Sequence, residues 1–169
     1  MVFHVGDAIV HPVRGAGVVT EVIERKRDGE KREYYRIELM SHPETTVMIP
    51  SGATKELGLR RAISQSKIKK LWHILLDDPE KLPGEHKERY AVLQEKLSTG
   101  NAFQIAEAVR DMAWRRSRKG RLNTRGKRLY DEGIRFLAGE IAAVIGSDCE
   151  EAEWQIRDKL EQSLATAVA

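Results

Sequence analysis

The stretch from Gly17 to Met40, GVVTEVIERKRDGEKREYYRIELM, decides the fold of the N-terminal part of the chain. β-Branched and aromatic residues alternate with polar ones on both sides of Asp28-Gly29, a dipeptide that favours a tight hairpin turn. The alternation predicts strands over 17–25 and 32–40, with Tyr35, Ile37 and Leu39 on one face. Outward from the hairpin, residues 7–11 and 45–49 read as further strands, with turns at Pro12–Gly17 and Ser41–Pro43. Four or five short antiparallel strands predict a small SH3-like or Tudor-like β-barrel.

Beyond Pro50 and the polar segment SGATKELG the hydrophobic period lengthens to that of helices. Ile68, Leu71, Trp72 and Leu75 form one stripe, and a second helix is expected over about 85–97 with Tyr90, Leu93 and Leu97 inward. Asn101 is a good N-cap for a third helix carrying Phe103, Ile105, Ala106, Val109 and Met112. A fourth is expected over 124–145, and Ser147 with Glu150 reads as a capping box opening a fifth, to about Thr166. The fold class is therefore α+β: a β-barrel domain over 1–56, a junction over 57–62, and a compact all-α domain over 63–169.

The net charge of +3 conceals a strong segregation. Residues 1–62 hold ten Lys and Arg against nine Asp and Glu, residues 63–130 sixteen against eight, and residues 131–169 three against nine. The peak is WRRSRKGRLNTRGKRLY, from Trp114 to Tyr130, with Arg115, Arg116, Arg118, Lys119, Arg121, Arg125, Lys127 and Arg128 and no acid among them. Such a run repels itself, and nucleic acid is the partner that supplies the counter-charge; Arg in particular suits phosphate. The plainer alternative is a solvated helix face neutralised by the acidic C-terminal segment.

Catalytic and metal chemistry find little support. His4, His11, His42, His73 and His86 lack the paired spacing of metal ligands, and Gly15 and Gly17 sit in a strand turn with no helix following to cradle phosphate. Asp77-Asp78 and Glu150-Glu151 are adjacent pairs that diverge on a helix. A lysine-reading aromatic cage is disfavoured because Tyr34 and Tyr35 point to opposite faces of one strand. Cys149 is the only cysteine, beside Glu150 and Glu151, which disfavour its thiolate. No enzyme activity, cofactor, metal or small-molecule substrate is expected. With no leader pattern and no stretch of ~20 apolar residues, a cytoplasmic location without a membrane partner is expected.

Taken in order, VFHVGDAIVHPVRGAGVV, DGEKREYYRIEL, TVMIP, GLRRAI, RYAVLQEKLSTGN, IAEAVRDMAWRR and GKRLY resemble the bacterial CarD (CarD/CdnL) family of transcription regulators over nearly the full chain. The barrel also resembles the polymerase-interaction domain of the transcription-repair coupling factor, whose helicase is absent here. The resemblance implies that the barrel binds the lobe of the RNA polymerase β subunit. It implies also that the helical domain contacts promoter DNA at the upstream edge of the bubble, stabilising the open complex, so that the protein sits on the nucleoid through polymerase. Carried over by residue, Arg25 matches a lobe-contacting arginine and Lys127 a phosphate-contacting lysine; Arg128, Arg115, Arg116 and Arg121 are expected phosphate neighbours, and Tyr35 a hairpin-edge contact. A second lobe-contacting arginine is here Met48, and the tryptophan that wedges into the minor groove is here His86. Trp72 is expected in the core, and Trp114 in the core or at a contact. The alternative is a basic, architectural nucleic-acid-binding protein without polymerase contact.

Overall fold

The Asp28-Gly29 turn forms as expected: both residues take positive φ, 53° and 80°, the geometry whose twist matches that of the strands it joins. The computed structural model describes residues 2–168. Strands β1 (Ala8–His11), β2 (Gly15–Arg27), β3 (Glu30–Leu39), β4 (Thr46–Pro50) and β5 (Arg60–Arg61) make one antiparallel sheet in the order β4-β3-β2-β1-β5. Phe3, Ile9, Val19, Tyr35, Ile37, Leu39, Ile49 and Leu59 fill its concave side, each large side chain contributing about 1.5–3 kcal/mol by leaving water. The junction expected at 57–62 is itself structured: β5 lies within it and pairs with β1 as the edge strand of the sheet before the chain turns into the helices.

β2 carries a bulge that simple alternation does not reveal. The register slips between Val19 and Glu21, leaving Thr20 as the extra residue, its hydroxyl donating to the Arg36 carbonyl at 3.3 Å. Val19 faces the core opposite Ile37, so without the slip the odd-numbered residues beyond it would face inward too. With it, Glu21, Ile23 and Arg25 share the outer face with their partners Arg36, Tyr34 and Arg32.

Five helices follow: α1 (Gln65–Leu76), α2 (His86–Ser98), α3 (Ala102–Lys119), α4 (Thr124–Ile145) and α5 (Cys149–Val168). Asn101 Oδ1 caps α3 by accepting from the Phe103 and Gln104 amides at 2.9 and 3.3 Å. The cap of α5 is one residue later than Ser147: Asp148 Oδ1 accepts from Glu151 N at 2.7 Å, a carboxylate being the stronger acceptor. α3 and α4 pack at the centre of the second core, which contains Ile105, Val109, Met112, Ile134, Leu137 and Ile141. They approach so closely at Gly133 that a Cβ there would meet Val109 Cγ2 at 2.7 Å.

One ion pair locks sheet to helices. Glu140 of α4 is fully buried and accepts from Arg60 Nη1 and Nη2 at 2.8 and 2.7 Å and from the Ile63 amide at 2.8 Å. The same guanidinium donates to the Gly100 carbonyl, which ties β5, α4 and the α2–α3 turn into one joint.

Candidate nucleic-acid and protein-docking interfaces

The basic run occupies the C-terminal end of α3, the loop 120–123 and the first turns of α4. Among the described residues none of its eight Arg and Lys side chains has a carboxylate within ion-pair distance. The acidic segment is engaged elsewhere, for instance Asp131 and Glu153 with Arg157 at 3.0 Å each. Among the described residues, then, no direct ion pair neutralises the run.

Helix electrostatics separates the run into two groups. Arg116, Arg118 and Lys119 stand in the last turn of α3, where cations complement the helix dipole and stabilise the fold. Arg125 and Lys127 stand in the first turn of α4, which holds no acid, and each opposes the dipole at a cost of about 0.3–1 kcal/mol, while Arg128 follows at the start of the second turn. A bound anion at the start of α4 would relieve that cost.

Between the start of α2, the end of α3 and the start of α4 lies a cleft of about 530 Å³. His86, Arg115 and Arg121, all expected contacts, line it together with Lys119, which the sequence places in the basic run but not among the expected contacts. A side-chain network holds its walls. Tyr90 donates its hydroxyl to Asn123 Oδ1, the same atom that caps α4 by accepting from Gly126 N at 2.8 Å. His86, exposed as the first residue of α2, stacks on Tyr90 with centroids 6.4 Å apart, and its Nδ1 lies 2.9 Å from Nη2 of the buried Arg89. The Arg125 guanidinium lies 4.6 Å from the centre of the Tyr90 ring. Lys127 and Arg128 are exposed just beyond the cap, in the first two turns of α4. Arg116 does not join the cleft; it stacks 5.1 Å over the Tyr130 ring.

The aromatic residues sort by burial. Trp72 and Trp114 are half-buried against the helical core, with Lys159 and Arg118 over their rings. Trp154, not considered in the sequence reading, is 62 % exposed on α5. The Cys149 thiol is pushed up by burial and by Glu153, Asp148 and Glu150. Among the described residues no group of three His, Cys, Asp or Glu could hold a metal, and no helix is long and apolar enough to cross a membrane.

On the sheet, Arg25 is exposed and Met48 half-buried, both on the outer face. Tyr35 corrects an expectation: it is 1 % exposed, edge-on to Phe3 at 5.6 Å, and its oxygen accepts from Phe3 N. It is a core residue and has no side-chain surface to offer a partner. The outward tyrosine is Tyr34, whose strand neighbours across the face are Ile23 and Pro50. Arg36 lies opposite Met48 in the register and is held to Glu21 at 2.6 Å. β4 is an edge strand, so it presents unpaired backbone groups to any strand that docks there.

Comparison with known proteins places these two faces in context. Residues 3–63 match the family model for the CarD-like/TRCF RID domain, and residues 70–157 match that for the CarD C-terminal domain. A protein of Bacillus subtilis (strain 168), YdeB, which carries a provisional transcription-factor name, is 32% identical over 144 residues, covering 85% of this chain and 93% of that protein.

Proposed function

The chain belongs to the CarD family, and on that footing we propose that it is a transcription regulator that docks on the β-subunit lobe of RNA polymerase through its sheet and holds promoter DNA at the upstream edge of the bubble through its helical domain, favouring the open complex. It acts without catalysis, in the cytoplasm, reaching the nucleoid through polymerase. The observation that carries this reading is a pairing of unlike faces: a sheet face with Arg25, Arg36 and a free β4 edge, joined by the Arg60–Glu140 lock to a helical domain whose basic run from Arg115 to Arg128 has no acidic partner among the described residues.

Each half then has a physical task. β4 can add a strand from the lobe, with Arg25 and Arg36 setting charge complementarity beside it. Lys127, Arg128, Arg115 and Arg121 meet phosphates, which position the DNA without reading its sequence. Docking on polymerase makes the DNA contact intramolecular, so a weak intrinsic affinity suffices. His86 stands where an apolar wedge would resist reannealing, and its smaller, more polar ring does so less well.

The test is a pull-down against the isolated lobe, with Arg25→Glu alongside. Binding by the native chain that the substitution abolishes, duplex binding being retained by both, is expected. DNA binding without lobe binding would leave a general nucleic-acid-binding protein. Open-complex lifetime should lengthen in His86→Trp; an unchanged or shorter lifetime would remove the wedge argument.

A further inference from the structure

We infer that the outward face of α5 is a docking surface for a basic segment of another protein, one that lays an arginine on the Trp154 ring. The inference goes beyond the polymerase and promoter contacts proposed above and does not depend on them. Ala152, Ile156, Leu160 and Leu164 turn one side of α5 into the helical core. On the other side Glu150 and Glu151 precede Trp154, and Asp158 and Glu161 follow it, at helical spacings that set all five on one stripe of about 16 Å. Trp154 is 62 % exposed, more than any other large apolar side chain described in the helical domain. Among the described residues none of the four acids has a lysine or arginine within ion-pair distance. Glu151 and Asp158 accept instead from the side-chain amides of Gln155 and Gln162, at 3.4 and 3.0 Å.

The Trp154 ring is bare where its counterparts are covered. Lys159 lies 4.9 Å from the centre of the Trp72 ring and Arg118 5.4 Å from that of Trp114, whereas among the described residues no cation lies over Trp154. An exposed indole attracts a cation to its face, and four unpaired carboxylates along the same stripe attract the same charge. Those carboxylates repel a nucleic-acid backbone and an anionic membrane surface, and among the described residues no group of three acids or histidines could hold a metal. Arginine suits the site better than lysine, because its planar guanidinium stacks on an aromatic face while donating to carboxylates beside it. The basic run of a second copy is a poorer occupant, since Arg116, Arg118 and Arg125 already lie over Tyr130, Trp114 and Tyr90 of their own chain.

The test follows the three tryptophan indole N–H signals of the full chain by NMR, with Trp154→Leu alongside to assign the one that matters. Two peptides of about eleven residues, the length of three helical turns, serve as probes: one carries arginines and the other lysines at the same positions. The arginine peptide is expected to move the Trp154 signal and leave those of Trp72 and Trp114 in place. It should bind about three- to fivefold tighter than the lysine peptide, and Trp154→Leu should remove that preference while weak charge-driven binding of both peptides persists. A Trp154 signal that neither peptide moves, equal affinity of the native chain for the two, or an arginine preference that survives Trp154→Leu overturns the inference and leaves α5 a solvated acidic face. Movement of the Trp154 signal on dilution of the protein alone would assign the face to a second copy, and movement on adding duplex DNA would assign it to nucleic acid; either overturns the basic segment as occupant.

Discussion

Replacing Glu140 by Ala should both destabilise the protein and divide its unfolding into two steps. The carboxylate is wholly buried and accepts three hydrogen bonds, two from Arg60 and one from Ile63 N. Its removal leaves a guanidinium without its counter-ion and a backbone donor without a partner. Breaking a buried pair costs about 3–5 kcal/mol. The Arg60 side chain is 30% exposed and keeps its bonds to the Gly100 carbonyl, so water recovers part of that and about 2–4 kcal/mol is expected. For a chain of this size that lowers Tm by about 6–12 °C. All three tryptophans, Trp72, Trp114 and Trp154, lie in the helical domain, so their fluorescence follows that domain alone while far-ultraviolet circular dichroism follows both. In the native chain the two signals should coincide on urea titration; in the variant they should separate. The double substitution Arg60→Met/Glu140→Leu should restore most of the stability, because an apolar pair of similar volume leaves no charge unpaired. A loss below about 1 kcal/mol, the scale of an exposed pair, with coincident transitions, would refute the lock as the coupling element.

Further outcomes follow from single contacts. Lys127→Ala should weaken duplex binding uniformly across sequences and lower the slope of log affinity against log salt by about one, measured by fluorescence anisotropy. Asn123→Ala removes the α4 cap and the acceptor of the Tyr90 hydroxyl, and should cost about 2 kcal/mol in urea unfolding. Burial and the neighbouring Arg14 hold His11 below its ordinary 6.5, and its neutral Nδ1 accepts from the amides of Val13 and Arg14. Because the folded state disfavours the proton, this contribution is complete above pH 6.5 and declines as pH falls through the lowered value. His11→Phe should therefore flatten the mildly acidic limb of the stability profile, and an NMR titration of His11 at or above 6.5 would contradict the argument.

Much of the architecture is local and therefore legible in the chain itself. Asp28-Gly29 sets a turn through backbone preference, Asn101 caps a helix through its own amide oxygen, and the stripe of α4 runs between Asn123 and Gly146 where periodicity places its ends. The error at Ser147 was one of competition between neighbours, decided in favour of the carboxylate of Asp148. The charge of the basic run was equally visible, since a sequence states where like charges accumulate.

What alternation could not reveal was orientation. The extra residue at Thr20 reverses the parity of β2, and this slip exists only in the pairing with β3; with it Arg25 turns outward. Tyr35 was placed correctly on the apolar face, yet its role as a contact failed because a residue on that face is consumed by Phe3 and the core. Composition and order determined that one domain is a sheet, the other helical, and that the second is basic. Only tertiary packing decided which cations lack partners, that His86, Arg115, Lys119 and Arg121 line one recess, and that Arg60 and Glu140, eighty residues apart, meet across the domain boundary. The reason is range: turns, caps and periodicity depend on a few consecutive residues, whereas a cleft and a buried ion pair depend on helices whose separation is set by the cores between them.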